Sequence, residues 1–190
     1  FPAGVQTAEN LWDKGLVDAV LPAEALRDTA ARFLDLVMAP RDLDHVPDLP
    51  RVPLPDIPAW DSIERSRRPD RPGLRALLKL GATDVLPLFG TGDGEWDRTM
   101  FLALARFDGA PCVVLGNDRR AERSEPPLSP SGLRVARRGM RLATELGLPF
   151  VSVIDTAGAA LSKEAEEGGM AGEIARTLQE RSEIVIMDEP

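Results

Sequence analysis

Tyrosine is absent, and histidine and cysteine occur once each, as His45 and Cys112. A lone cysteine cannot close an intramolecular disulfide, and without a CxxC pair no thiolate zinc site exists, so the chain fits a reducing, cytoplasmic compartment. One histidine excludes an HExxH site and any two-histidine centre, and no metal is expected. No phenolic acid is on offer. No stretch approaches the about 18 apolar residues that cross a bilayer; the longest runs are short ones such as 111–116. Cationic charge is in deficit too. With 23 Lys plus Arg against 31 Asp plus Glu the net charge is −8, so neither nucleic acid nor an anionic membrane is an expected partner. Phe1 is not a start methionine, and residues 2–6 carry no positive n-region, so no signal peptide is recognised and the sequence reads as a piece of something longer.

What the sequence does have is 43% hydrophobic residues, enough for a core, and 17 prolines that are unevenly spread. Pro47, Pro50, Pro53, Pro55 and Pro58 crowd together. Each removes a backbone donor and biases its predecessor toward extended conformations. Residues 39–59 therefore read as an extended, semi-rigid connector between a small N-terminal piece and a larger C-terminal one. In the first piece, Thr7 can cap a helix carrying Ala8, Leu11 and Trp12, with Gly15 as its left-handed stop. Pro22 suits the first turn of a second helix, where Leu26, Ala30, Phe33, Leu34, Val37 and Met38 recur at spacings of three and four. Two helices hold too few apolar residues for an independent core.

The second piece alternates. Residues 111–115 form a β-branched apolar strand, 131–146 a helix with Leu133, Ala136, Met140, Ala143 and Leu146 inward, and 150–154 a second strand. A helix over 169–180, using Ile174, Ala175 and Leu178, leads to a third strand at 183–187. Such alternation of continuously apolar strands with helices predicts an α/β fold, a parallel sheet covered on both faces. Upstream, Asp97 can cap a further helix containing Phe101, Leu104 and Ala105.

The exit of the second strand, Asp155-Thr156-Ala157-Gly158-Ala159, carries the most chemistry. Ligands of open α/β sheets bind beyond the carboxyl ends of strands, and here small residues leave the backbone N–H groups unshielded. The Gly158 and Ala159 amides can form half of an oxyanion hole. The plainer reading is that Asp155 caps the turn and the glycine relieves a tight bend.

This segment, followed by Glu164-Ala165-Glu166-Glu167-Gly168-Gly169 and Gly172-Glu173-Ile174-Ala175-Arg176, resembles the DTPGA…AEExG…IA pattern of the α-type half of the acetyl-CoA carboxylase carboxyltransferase component. Trp60, Arg65, Arg71-Pro72, Arg106-Phe107-Asp108-Gly109, Gly116 and Arg137-Arg138-Gly139-Met140-Arg141-Leu142-Ala143 agree with it in order. Phe1 to Glu9 and Gly15-Leu16-Val17-Asp18 resemble the closing segment of β-type halves and of the wider crotonase superfamily. Ala157 departs from the family's usual proline, and the glycine-rich segment that comes after the next strand in the family does not occur before Pro190, the last residue of the sequence. The resemblance implies an incomplete crotonase-like (ClpP/crotonase superfamily) fold in three parts: 1–38 as the helical tail of a β-type half, 39–59 as connector and 60–190 as part of an α-type half.

The same resemblance implies transfer of carboxylate from carboxybiotin on a carrier protein to acetyl-CoA or propionyl-CoA, giving malonyl-CoA or methylmalonyl-CoA for fatty acid biosynthesis. Gly158 and Ala159 would donate to the biotin carbonyl. Partners would be acyl-CoA, the biotin carboxyl carrier protein and biotin carboxylase subunit, and further copies of the chain. The chemistry needs no protein base, in keeping with the scarcity of His, Cys and Tyr. A crotonase-type hydratase or isomerase, or a non-catalytic assembly piece, are the alternatives.

Other residues keep two readings each. Arg134, Arg137, Arg138 and Arg141 share a helical face and either grip coenzyme A phosphates or form a solvated face or subunit contact. Arg65, Arg67, Arg68 and Arg71 pose the same choice. Glu164, Glu166 and Glu167 are either an acid/base group or carboxylates favoured near a helix N-terminus. Cys112 is a buried small hydrophobe. The 90–94 segment, Gly-Thr-Gly-Asp-Gly, lacks the Lys-Ser or Lys-Thr of a phosphate loop and reads as a flexible loop.

Overall fold

A computed structural model describes residues 2–40, 53, 56–68, 70–118, 128–156 and 158–182. Most of the connector, including His45, and the third strand expected at 183–187 lie outside the described residues, as does Ala157.

Helix α1, Ala8–Asp13, is capped as expected, the Thr7 hydroxyl accepting from the Asn10 N–H at 3.3 Å. Helix α2, Ala23–Met38, starts after Pro22. Its expected apolar face is only partly covered, and the side chain it drives fully into the core is Leu36. Helices α3, Ala59–Ser66, and α4, Leu74–Gly81, then lead into strand β1, Ala82–Leu88.

Residues 100–107 are strand β2, Met100–Phe107, where a helix was expected. Leu102, Ala103, Leu104 and Ala105 are all essentially inaccessible. A strand buried on both faces is apolar throughout and so does not display the period-two alternation that separates strand from helix. The informative signal is Asp108-Gly109, both at positive φ (46° and 83°), which closes a two-residue hairpin into β3, Ala110–Asn117. Asp97 caps a turn instead, accepting from the N–H groups of Thr99 (2.7 Å) and Met100 (3.2 Å).

Helix α5, Pro130–Leu146, and strand β4, Phe150–Val153, come next, as expected. The sheet order is β1-β2-β3-β4. Strands β3 and β4 pair in parallel, whereas β1-β2 and β2-β3 are antiparallel, so the described sheet is mixed, not all-parallel. Both faces are covered. Val135, Ala136 and Ala143 of α5 and Leu36 of α2 pack on Leu102, Leu104, Val113 and Leu115. On the other face Leu74 and Leu78 of α4 pack on Ala105, Cys112 and Val114. Burial pushes the Cys112 thiol up to about 11, so it stays protonated and serves as packing.

Two short helices close the described chain, α6, Lys163–Glu167, and α7, Met170–Ser182. The apolar face expected of α7 is not the buried one: Ile174 and Leu178 are 40% and 60% exposed, while Glu173 is 5% exposed. Charge explains the difference. Glu173 meets Arg137 of α5 at 2.8 Å and Arg134 and Arg176 at 3.2 Å each, so α7 docks on α5 through a shared carboxylate.

Candidate functional site

The parallel strands β3 and β4 end side by side, and each opens into polar residues. Beyond β3, Asp118 is buried and paired with Arg75 at 2.6 Å. Beyond β4, the Asp155 side chain is buried and paired with Arg71. The Asp155 N–H donates to Asn117 Oδ1 at 3.4 Å, tying the two strand ends together. Asp155 is therefore the counter-ion of an arginine from the α4 approach.

The turn is capped by its neighbour. The Thr156 hydroxyl accepts from the Gly158 N–H at 3.1 Å, so it marks where an acceptor sits against that amide, and a hydroxyl rotor can give way to a better acceptor. Gly158 stands at φ +130°, and apart from its chain neighbours nothing lies within 4 Å of where a Cβ would be. That backbone favours glycine, and the open space in front of it admits another molecule. The loop is pinned downstream by the Ala160 N–H, which donates to the Leu128 carbonyl at 2.9 Å. Ile154 and Leu161, on either side of it, are exposed by 83% and 95%, an apolar rim around a polar loop.

The predicted arginines do not form one outward row. Arg137 is turned onto Glu173, and Arg138 donates to the Phe89 and Gly90 carbonyls at 2.8 and 2.9 Å and to Asp18 at 2.7 Å. Arg141 is exposed on the same helix. Arg138 also settles the 90–94 loop, which is held rather than loose: Gly92 N–H donates to the Gly15 carbonyl at 3.0 Å, and Thr91 N–H to the Glu95 carbonyl at 2.8 Å. A Cβ on Gly15 would overlap the Glu95 carbonyl, so Gly15 both ends α1 and lets that loop approach.

Glu164, Glu166 and Glu167 lie on α6, whose cap Ser162 accepts from the Ala165 N–H at 3.2 Å. Hydrogen bonds from the backbone at Glu164 and from Ser162 hold the Glu164 carboxyl below its usual range. It is a helix-terminus anion, not a proton donor poised near neutrality. Among the described residues no cluster of three His, Cys, Asp or Glu side chains could hold a metal ion, and no helix is long and apolar enough to cross a membrane.

The mixed α/β sheet flanked by helices has the crotonase-type fold of the solved carboxylase and transcarboxylase chains it is similar to. The acetyl co-enzyme A carboxylase carboxyltransferase-like family model matches residues 49–187, and the chain belongs to that family. It is 52% identical over its whole length to the probable biotin-dependent acyl-coenzyme A carboxylase beta3 subunit of Mycobacterium tuberculosis, covering 37% of that protein. It is 35% identical, over 94% of its length, to the acetyl-coenzyme A carboxylase carboxyl transferase subunits beta/alpha of Parafrankia sp., covering 34% of it. Among solved structures, a single-chain, multi-domain long-chain acyl-CoA carboxylase superposes on 98% of this chain, and 18% of its own, with a TM-score of 0.71 at 18% identity. The chain thus spans little more than a third of the curated relatives just named.

Proposed function

We propose that this chain supplies the α-type half of a carboxyltransferase site, in which carboxylate passes from carboxybiotin on a carrier protein to an acyl-CoA. The observation that carries the reading is the loop after β4, where Gly158 keeps a backbone open to approach. A ureido carbonyl fits there because the groups standing at the donor amides are the small Ala159 and the Thr156 hydroxyl. Carboxybiotin supplies the activated carboxylate. The chain's own residues orient it: Gly158 and Ala159 N–H groups would hold the carbonyl oxygen as it gains charge, a role worth about 10²–10³ in rate per donor. No side-chain base is required of these residues.

In this reading residues 1–38 are the closing helices of a β-type half, 39–59 the connector and 60–190 part of the α-type half. The match running through a relative named as beta/alpha subunits supports that division. The acyl-CoA would be acetyl-CoA or propionyl-CoA, within cytoplasmic fatty acid biosynthesis, and the partners a biotin carboxylase, its carrier and further copies of the chain. Arg141, the exposed member of the predicted arginines, is the one placed to meet a coenzyme A phosphate.

The test is a labelled-carboxylate transfer assay with the assembled carboxylase, offered acetyl-CoA, propionyl-CoA and crotonoyl-CoA. Label should enter the saturated thioesters only when the carboxylated carrier is supplied. Hydration of crotonoyl-CoA without such transfer would establish the hydratase reading in its place.

A further inference from the structure

We infer that Arg71 is a positioning residue for carboxyl transfer: by holding the Asp155 carboxylate it fixes the direction in which the Gly158 and Ala159 amides point. The inference rests on the oxyanion reading above and assigns it a control point outside the strand-loop-helix unit.

Asp155 stands two residues after the last residue of β4 and three before Gly158. Its side chain is 8% exposed, and a carboxylate at that depth needs a counter-ion. The counter-ion comes from 84 positions upstream, in the segment that leads into α4. The Asp155 N–H is separately tied to Asn117, and the far end of the loop to Leu128. The donor amides thus hang between two fixed ends, and the upstream end depends on a charge borrowed from another element. Without that charge the Asp155 carboxylate loses its arginine partner at the start of the loop, and the backbone that carries it is held less firmly. Displacement of a reacting group by about 1 Å costs on the order of a hundredfold in rate.

The neighbouring pair serves as an internal comparison. Arg75 and Asp118 are joined at 2.6 Å, and Asp118 is as deeply buried as Asp155. Their pair anchors the end of β3, a strand that does not carry the Gly158 and Ala159 amides. Side chains of equal burial, only one of them on the segment that runs into the amides, separate positioning from plain structural support.

In the assembled carboxylase, Arg71→Met should lower kcat for carboxyl transfer by about 10- to 100-fold while the acyl-CoA KM stays within about twofold. Arg71→Lys should recover part of the loss, since it keeps the charge without the planar fork. Arg75→Met should lower the melting temperature comparably yet change kcat by less than about threefold. Should Arg71→Met fail to fold, Asp155→Asn carries the same expectation, because it removes the charge pair at constant shape. A kcat within about twofold of the parent in these variants, or an equal kcat loss in Arg75→Met, overturns the inference. Gly158→Val separates the two levels. If it is inactive while Arg71→Met is active, only the positioning role fails; if it is active, the oxyanion reading beneath fails.

Discussion

The ion pairs at the two edges of the sheet differ in kind. On the β1 side, Arg32 with Asp84 and Arg106 with Asp35 hold α2 down, with Arg32 and Asp35 largely in water. At the β3 and β4 ends, Asp118 and Asp155 are buried, and so is Glu173 on α7. Exposed pairs contribute about 0–1 kcal/mol and are screened by salt. Buried pairs add little net stability over apolar packing, but breaking one leaves a desolvated charge and costs about 3–5 kcal/mol. The first kind holds a helix that Leu36 already anchors. The second fixes strand ends and α7, and of its members only Asp155 stands on the segment that runs into the Gly158 loop.

The largest effect should come from Glu173→Ala, which strips the carboxylate from Arg137 and undocks α7 from α5; a loss of about 3–5 kcal/mol in denaturant unfolding is expected. Leu36→Ala comes next, at about 2–5 kcal/mol, because a fully buried leucine leaves a cavity. Leu34→Ala, on the half-open side of the same helix, should cost a small fraction of that, which would show that α2 is held by one side chain and not by its whole apolar stripe. Arg32→Ala should fall within about 1 kcal/mol and diminish further in high salt. A larger loss there, or a small one at Glu173, would erase the distinction between the two edges.

The smallest effect is one of pH. The hydrogen bond from Arg32, ahead of their Coulomb attraction, holds the Asp84 carboxyl below its ordinary value of 3.8. A folded-state value below the unfolded one means that the pair stabilises above the ordinary range and that this contribution disappears as pH falls through the folded value. Asp84→Asn should therefore flatten the acid limb of the stability curve below about pH 4 and leave its shape above about pH 6 unchanged.

Much of the architecture was legible in the residues. Thr7, Gly15 and Pro22 bound two helices through local capping chemistry, and α5, β3 and β4 carry patterns that neighbours do not override. Strand β2 was not legible by period, since burial on both faces removes alternation; the Asp108-Gly109 turn was the signal that should have outweighed a capping aspartate at 97. The docking face of α7 was misassigned because a buried glutamate among arginines violates the rule that apolar residues face inward, and only the fold brings Arg134 and Arg137 to it. At the candidate site, the open turn at Gly158 could be read from small residues after a strand. The arginine that holds it could not, because nothing in local sequence joins position 71 to position 155.

The central claim is that backbone amides after β4 carry the chemistry, and Gly158→Val tests it most directly. A valine there crowds the open approach and is strained at φ +130°. Single-turnover transfer from carboxylated carrier to acyl-CoA should fall by about a hundredfold, the scale of losing one oxyanion donor, in a protein that still folds but loses about 1–3 kcal/mol to backbone strain. Transfer at the parental rate by a folded Gly158→Val protein would contradict the account.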